Sequence, residues 1–206
     1  TGYYRYDAGY TPEFAGRESF GGQVIHPQLW PENFDYSGKR IVVIGSGATA
    51  VTLVPSLTDK AAHVTMLQRS PSYVITLPAK DPISNFLRNF LPEKWVYRQA
   101  RARNVTMQMV FFMASKMFPG AVRKLMLKLA NLQLGKDFDM RHFSPRYKPW
   151  DERVCCVPDG DLFKALRQGR ASVVTEHIER FTEKGILLKS GQLLEADVIV
   201  TATGLD

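Results

Sequence analysis

Cysteine is almost missing from this chain: there are two in 206 residues, Cys155 and Cys156, and they are neighbours. Bridging adjacent cysteines strains the peptide between them, which argues against a disulfide. Two thiols also fall short of a four-ligand metal site. Three of the four histidines, His63, His142 and His177, have no partner spacing for a metal or a nucleophilic triad, so no metal is expected. Both cysteines read as small buried side chains in a reducing, cytoplasmic compartment. No stretch of eighteen consecutive apolar residues occurs, so no spanning helix is expected. There is no run of five or six Lys/Arg, no zinc-finger spacing and no RNA-recognition signature. A formal charge of +7 therefore does not make nucleic acid an expected partner.

What is present suffices for one sizeable core with a helical appendage. Residues 1–38 are rich in Gly, Pro and aromatics and read as an extended linker. Lys39-Arg40-Ile41-Val42-Val43-Ile44 is a short apolar strand behind two polar residues. A turn and a helix follow to about residue 58, with Pro55 expected to kink or end the helix. Residues 63–68 form a second strand, completing a βαβ unit. Over residues 82–134, Ile83, Phe86, Leu87, Phe90, then Val105, Met109, Phe112, Met113, Met117, then Val122, Leu125, Met126, Leu129 recur at helical spacing. This predicts a helical insertion of two or three helices, broken near Pro92 and Pro119-Gly120. Arg98, Arg101, Arg103, Lys116, Arg123, Lys124 and Lys128 decorate it. Two readings stay open: a flap with a solvated basic face, or peripheral membrane contact through basic amphipathic helices. Residues 136–160 read as loop and 161–168 as a short helix. Strand-like pieces follow at 172–175, 178–182, 186–189 and 198–201. The first residues and the apolar strand just before the last ones read as cuts through a larger fold.

Gly45-Ser46-Gly47-Ala48-Thr49-Ala50 is G-x-G-x-x-A directly after the first strand. In that context the pattern predicts a Rossmann-like dinucleotide site. Gly45 permits the tight turn, Gly47 lets a pyrophosphate approach the backbone, and Ala50 lets the helix pack on the strand. The phosphates would meet free N–H groups at the positive helix end. The second strand ends Leu67-Gln68-Arg69-Ser70, where a ribose-binding carboxylate would favour NAD. A guanidinium can instead grip a 2′-phosphate, with Ser70 adding a hydroxyl, so NADP(H) is the expected cofactor. The alternative is that Arg69 is a solvated strand-end residue.

Phe20-Gly21-Gly22-Gln23-Val24-Ile25-His26-Pro27-Gln28-Leu29-Trp30-Pro31 fits F-x-G-x-x-x-H-x-x-x-W-P, at Phe20, Gly22, His26, Trp30 and Pro31. It resembles the fingerprint of the Baeyer–Villiger monooxygenases, upstream of the Rossmann turn as in that family. Related flavin-containing N/S-monooxygenases share the Phe, Gly and His but usually differ at the last two positions. The resemblance covers the whole chain. Thr1-Gly2-Tyr3-Tyr4 is similar to the point where the family's FAD-binding domain hands over to its NADP domain. Ala202-Thr203-Gly204 is similar to the motif where the chain returns. The insertion, Gly160-Asp161-Leu162-Phe163 and the string from Val42 to Val54 look most like the ethionamide monooxygenase branch.

The resemblance implies an α/β fold: residues 39–206 as a Rossmann-like NADP(H)-binding domain with a helical insertion, excised from a flavoprotein with two dinucleotide-binding domains. It implies that NADPH reduces FAD and that a C4a-peroxyflavin then attacks a small ketone or a thio substrate. It places Arg153, in Pro149-Trp150-Asp151-Glu152-Arg153, at the family's active-site arginine. A permanent cation suits a developing anion. A structural ion pair of Arg153 with Asp151 or Glu152 is the alternative. The chain departs from the pattern at Glu152, where many members carry Lys. His26 is expected to be structural or gating rather than acid or base. Only one G-x-G-x-x-A follows a strand, so FAD is expected to be bound mostly by sequence outside the chain. The partner is then the FAD-binding domain of the same parent, and the chain alone is expected to bind NADP(H) without turnover. A non-catalytic nicotinamide-binding module remains the other class.

Overall fold

The computed structural model describes residues 4, 5 and 7–205. The proposed hand-over at Thr1-Gly2-Tyr3 lies outside the described residues.

Strand β2 (Arg40–Ile44) is the centre of the architecture. Its four apolar residues are buried on both faces, as a central parallel strand requires. It pairs in parallel with β3 (His63–Gln68) on one side and β10 (Val198–Thr201) on the other. Beyond these lie β6 (Ala171–Thr175) and β1 (Gln23–Ile25), giving the order β1-β10-β2-β3-β6, all parallel. Residues 1–38 were expected to be extended linker throughout; three of them form this sheet's edge strand.

Because side chains alternate along a strand, β2 feeds two cores. Ile41 and Val43 face α1 (Ala48–Leu57) and α5 (Asp161–Arg167), packing with Val51, Val54, Leu162 and Phe163. Val42 and Ile44 face the opposite side. There they meet an antiparallel meander of β7 (Ile178–Thr182), β8 (Gly185–Leu188) and β9 (Leu193–Glu195). Phe181 sits at that second core, stacked on Phe14 and edge-on to Phe20 of the fingerprint. Pro55 does not break α1: the helix runs two residues further and ends where the Thr58 hydroxyl donates to the Pro55 carbonyl at 2.7 Å.

The insertion folds into α2 (Pro82–Leu87), α3 (Glu93–Met117) and α4 (Pro119–Leu134), broken at the expected prolines. Asp81 caps α2 by accepting from the Ile83 and Ser84 amides, and Pro119 occupies the first turn of α4, where its missing N–H costs nothing. Residues read as loop contain β5 (Val154–Pro158), paired in parallel with β4 (Tyr73–Leu77). Alternation along β5 buries Cys155 but exposes Cys156, so only one of the two cysteines is the expected core side chain.

Candidate functional site

The turn after β2 carries the candidate site. The Gly45 amide donates to the Leu67 carbonyl at 2.8 Å, which folds the chain back over the end of β3. Gly45 has φ 139°, and a Cβ there would lie 2.4 Å from the Ala202 carbonyl oxygen at the end of β10. Only glycine fits that crossing. Gly47 is different: φ is −81° and nothing lies within 4 Å of where its Cβ would be. It precedes α1 without any side-chain cap, so the first amides of a ten-residue helix face an open approach. Ala48 and Thr49 are exposed there, and Ala50 is fully buried against the sheet. The residues thus fit an anionic group: free N–H donors, a positive helix end and no side chain in the way.

Ser46 points inward. Its hydroxyl lies 3.2 Å from the Ser70 carbonyl, which it can donate to, and 3.0 Å from the Ser72 hydroxyl. Arg153 donates from Nε to Ser72 Oγ at 2.9 Å and from a terminal nitrogen to Ser46 Oγ at 3.3 Å. A hydroxyl has one proton, so the order is fixed: Arg153 donates to Ser72, Ser72 to Ser46, and Ser46 to the Ser70 carbonyl. This chain holds a cation beside the glycine turn on neutral acceptors alone. Arg153 forms no ion pair with Asp151 or Glu152; Asp151 instead pairs with Lys116 at 2.8 Å, which lowers its carboxyl pKa, and Glu152 is exposed. Tyr147 fixes the Arg153 backbone by donating to its carbonyl at 2.9 Å, and burial raises the pKa of this phenol. Below the turn, Cys155 lies with Sγ 3.6 Å from the Ser46 carbonyl.

Arg69 and Ser70 are exposed at the end of β3, and Arg69 has no ion-pair partner among the described residues. The preceding Gln68 is buried and anchors the strand end, donating to the His142 carbonyl at 2.7 Å and the Thr175 hydroxyl at 2.8 Å. Ser72, Gln68 and Tyr147 carried no sequence signal, because their partners lie far away along the chain.

The fingerprint gathers along the β1–β10 edge. His26 Nδ1 accepts from the Gln28 amide at 3.2 Å, which puts the ring proton on Nε2, and Nε2 donates to the Gly204 carbonyl at 3.0 Å. Its ring lies so close to Gly9 that a Cβ there would sit 1.9 Å away. Thr203 donates to the Tyr10 carbonyl at 2.6 Å. Gly22 lies against the Asp197 carbonyl, where a Cβ would meet it at 2.3 Å. Trp30 packs edge-on to Phe34 and Tyr36, and Pro31 is exposed. No group of three His, Cys, Asp or Glu able to hold a metal occurs among the described residues.

A family model described as flavin-binding monooxygenase-like matches residues 1–206. The chain belongs to that family. MymA of Mycobacterium tuberculosis is 59% identical over 210 residues, and the FAD-containing monooxygenase EthA of the same species is 55% identical over 208. Each alignment covers 100% of this chain and 42% of the relative, so the chain spans less than half the length of these family members. Among solved structures, oxidized steroid monooxygenase bound to NADP superposes with a TM-score of 0.75 at 19% identity, over 97% of this chain and 45% of that one. An open form of cyclohexanone monooxygenase superposes with a TM-score of 0.69 at 21% identity, over 97% and 46%. At such identities the likeness establishes the fold shared with these monooxygenases.

Proposed function

We propose that this chain is the NADP(H)-binding portion of an FAD-dependent monooxygenase of the Baeyer–Villiger type, which inserts oxygen into small ketones or oxidises sulfur in thio compounds. The observation that carries the reading is the open, uncapped turn at Gly47 flanked by two cations, Arg69 and the hydroxyl-held Arg153. Residues 1–38 are then the linker and fingerprint segment, and residues 39–206 the nucleotide domain.

Gly45, Ser46, Gly47, Ala48, Thr49 and Ala50 hold the pyrophosphate, and Arg69 and Ser70 hold the 2′-phosphate that distinguishes NADP(H) from NAD(H). Arg153 presents a permanent positive charge where the reaction develops a negative one. His26 ties the approach segment to Gly204 and moves no proton. Thr203 and Gly204 return the chain toward the FAD-binding domain, which lies mostly in sequence outside these residues. When bound, NADPH supplies the hydride and FAD the centre that activates dioxygen. Trp30-Pro31 and the relatives named above support the reading. The partners are then NADPH, the FAD-binding domain of the same parent and a small ketone or thio substrate, with a membrane surface contacted peripherally through the basic helices.

The test is turnover by the full-length polypeptide with FAD, NADPH and oxygen, offered cyclic ketones and thioethers. The expected result is an ester, lactone or sulfoxide formed in step with NADPH consumed. NADPH oxidation yielding only hydrogen peroxide with every substrate would overturn the reading.

A further inference from the structure

Residues 82–134 hold nine Lys or Arg and a single acid, Glu93, so the chain's whole positive balance lies here and the remaining residues sum to −1. The same segment holds seventeen of the twenty-four exposed large hydrophobic side chains among the described residues. Helix α3 shows why: over its 25 residues only Val96 and Ser115 are buried. Met109 is 59% exposed, Met113 55%, and Trp95 63%. At 3.6 residues per turn these three fall on one stripe, and Lys94, Arg98 and Arg101 run alongside it. On α4, Lys124 and Lys128 stand beside exposed Leu125, Leu129 and Leu132.

Three of the nine cations are committed elsewhere: Arg103 to Asp81, Arg123 to Tyr73 and the Pro145 carbonyl, Lys116 to Asp151. Lys94, Arg98, Arg101, Lys124 and Lys128 have no acidic partner among the described residues, and Arg98 lies over the Trp95 ring. The core of a protein–protein interface is depleted of charged residues, Lys among them. A surface that mixes exposed Trp and Met with unpaired cations matches instead a bilayer interface, where apolar side chains enter the acyl boundary and cations meet lipid phosphates. No helix among the described residues is long and apolar enough to cross a membrane, so the contact is in-plane.

We propose that the α3–α4 hairpin is a docking face for an anionic lipid bilayer, with α3 lying along the surface. The proposal deepens the membrane reading given above and rests on it; it does not depend on the nucleotide site.

The test is vesicle flotation of the 206-residue chain and of the full-length polypeptide, with phosphatidylcholine alone and with added phosphatidylglycerol. Binding is expected only to the phosphatidylglycerol vesicles and is expected to fade with salt. A blue shift of tryptophan emission should accompany binding and be lost in Trp95→Phe. The triple variant Lys94→Gln, Arg98→Gln, Arg101→Gln should weaken partitioning roughly 100-fold, from the usual contribution of each cation near an anionic surface. Calorimetry in the same preparations should show NADP⁺ binding unchanged. Equal binding to neutral and anionic vesicles, or to neither, overturns the proposal. So does binding by the chain that vanishes in the full-length polypeptide, which assigns the face to an internal interface. So, too, does self-association in sedimentation that Met109→Ser with Met113→Ser abolishes, which assigns it to a second copy. NADP⁺ binding without vesicle binding refutes the docking face alone; vesicle binding without NADP⁺ binding refutes the nucleotide site alone.

Discussion

Gly45 and Gly47 stand two residues apart in one motif, yet alanine at each should fail in opposite ways. At Gly45 the backbone lies at φ 139°, and the new Cβ would meet the Ala202 carbonyl oxygen at 2.4 Å. That neighbour is backbone at the end of a fully buried strand and cannot swing aside. The dihedral strain alone is about 1–3 kcal/mol, and displacing Ala202 adds to it. A loss of about 3 kcal/mol would lower Tm by roughly 6–12 °C for a domain of this size. At Gly47, φ is −81° and the Cβ would meet nothing. The lost N-cap preference and the stiffer unfolded chain offset one another, leaving stability within about 1 kcal/mol. What the Gly47 Cβ obstructs is the approach to the α1 amides, so NADP⁺ affinity should fall at least tenfold, about 1.4 kcal/mol. Urea unfolding and calorimetric titration of both variants make the comparison. A Gly47→Ala chain that binds NADP⁺ as tightly as the parent would refute the assignment of the opening, and a Gly45→Ala chain of unchanged Tm would refute the crossing geometry.

Ser72→Ala removes the acceptor of Arg153 Nε; because Arg153 is largely exposed the stability cost should be about 1 kcal/mol or less, while NADP⁺ affinity drops several-fold and Ser72→Thr restores it. The Asp197 carboxyl is held below its ordinary range chiefly by the Arg40 hydrogen bond. A depressed acid stabilises the fold above its unfolded pKa and loses that contribution as pH falls. Arg40→Gln should therefore be slightly less stable than wild type at neutral pH, and that gap should close below about pH 4 in urea titrations. Titration with a disulfide reagent should modify Cys156 in the native chain and Cys155 only after unfolding. Burial raises both thiol pKa values, so the native reaction should be slow at neutral pH and accelerate as pH rises.

The central βαβ unit was legible because β2 is an unbroken apolar run and the glycine turn follows it at once. The insertion was legible through its helical period, and its breaks through Pro92 and Pro119. The β4–β5 pair was not, since Tyr73 finds its partner at Val154 and the partner strand reads Val-Cys-Cys-Val-Pro, with no alternation that periodicity detects. Strand β1 was hidden for the same kind of reason: three residues gain strand character only from pairing with β10. Among the residues proposed for the site, the glycines and Arg69 were visible as a local pattern. Ser72 did not, because its importance comes from an arginine 81 residues downstream. The placement of His26 against Gly204 illustrates the reverse case, in which a motif residue reads as a structural tie and the geometry supplies the bond.

The central claim is that this turn binds NADP(H) with Arg69 reading the 2′-phosphate, and one measurement addresses it directly: calorimetric titration with NADP⁺ and with NAD⁺ at low ionic strength, on the wild-type chain and on Arg69→Ala. The expected result is a preference for NADP⁺ that collapses in the variant while NAD⁺ binding stays the same. Equal affinity for both nucleotides in the wild type would contradict it.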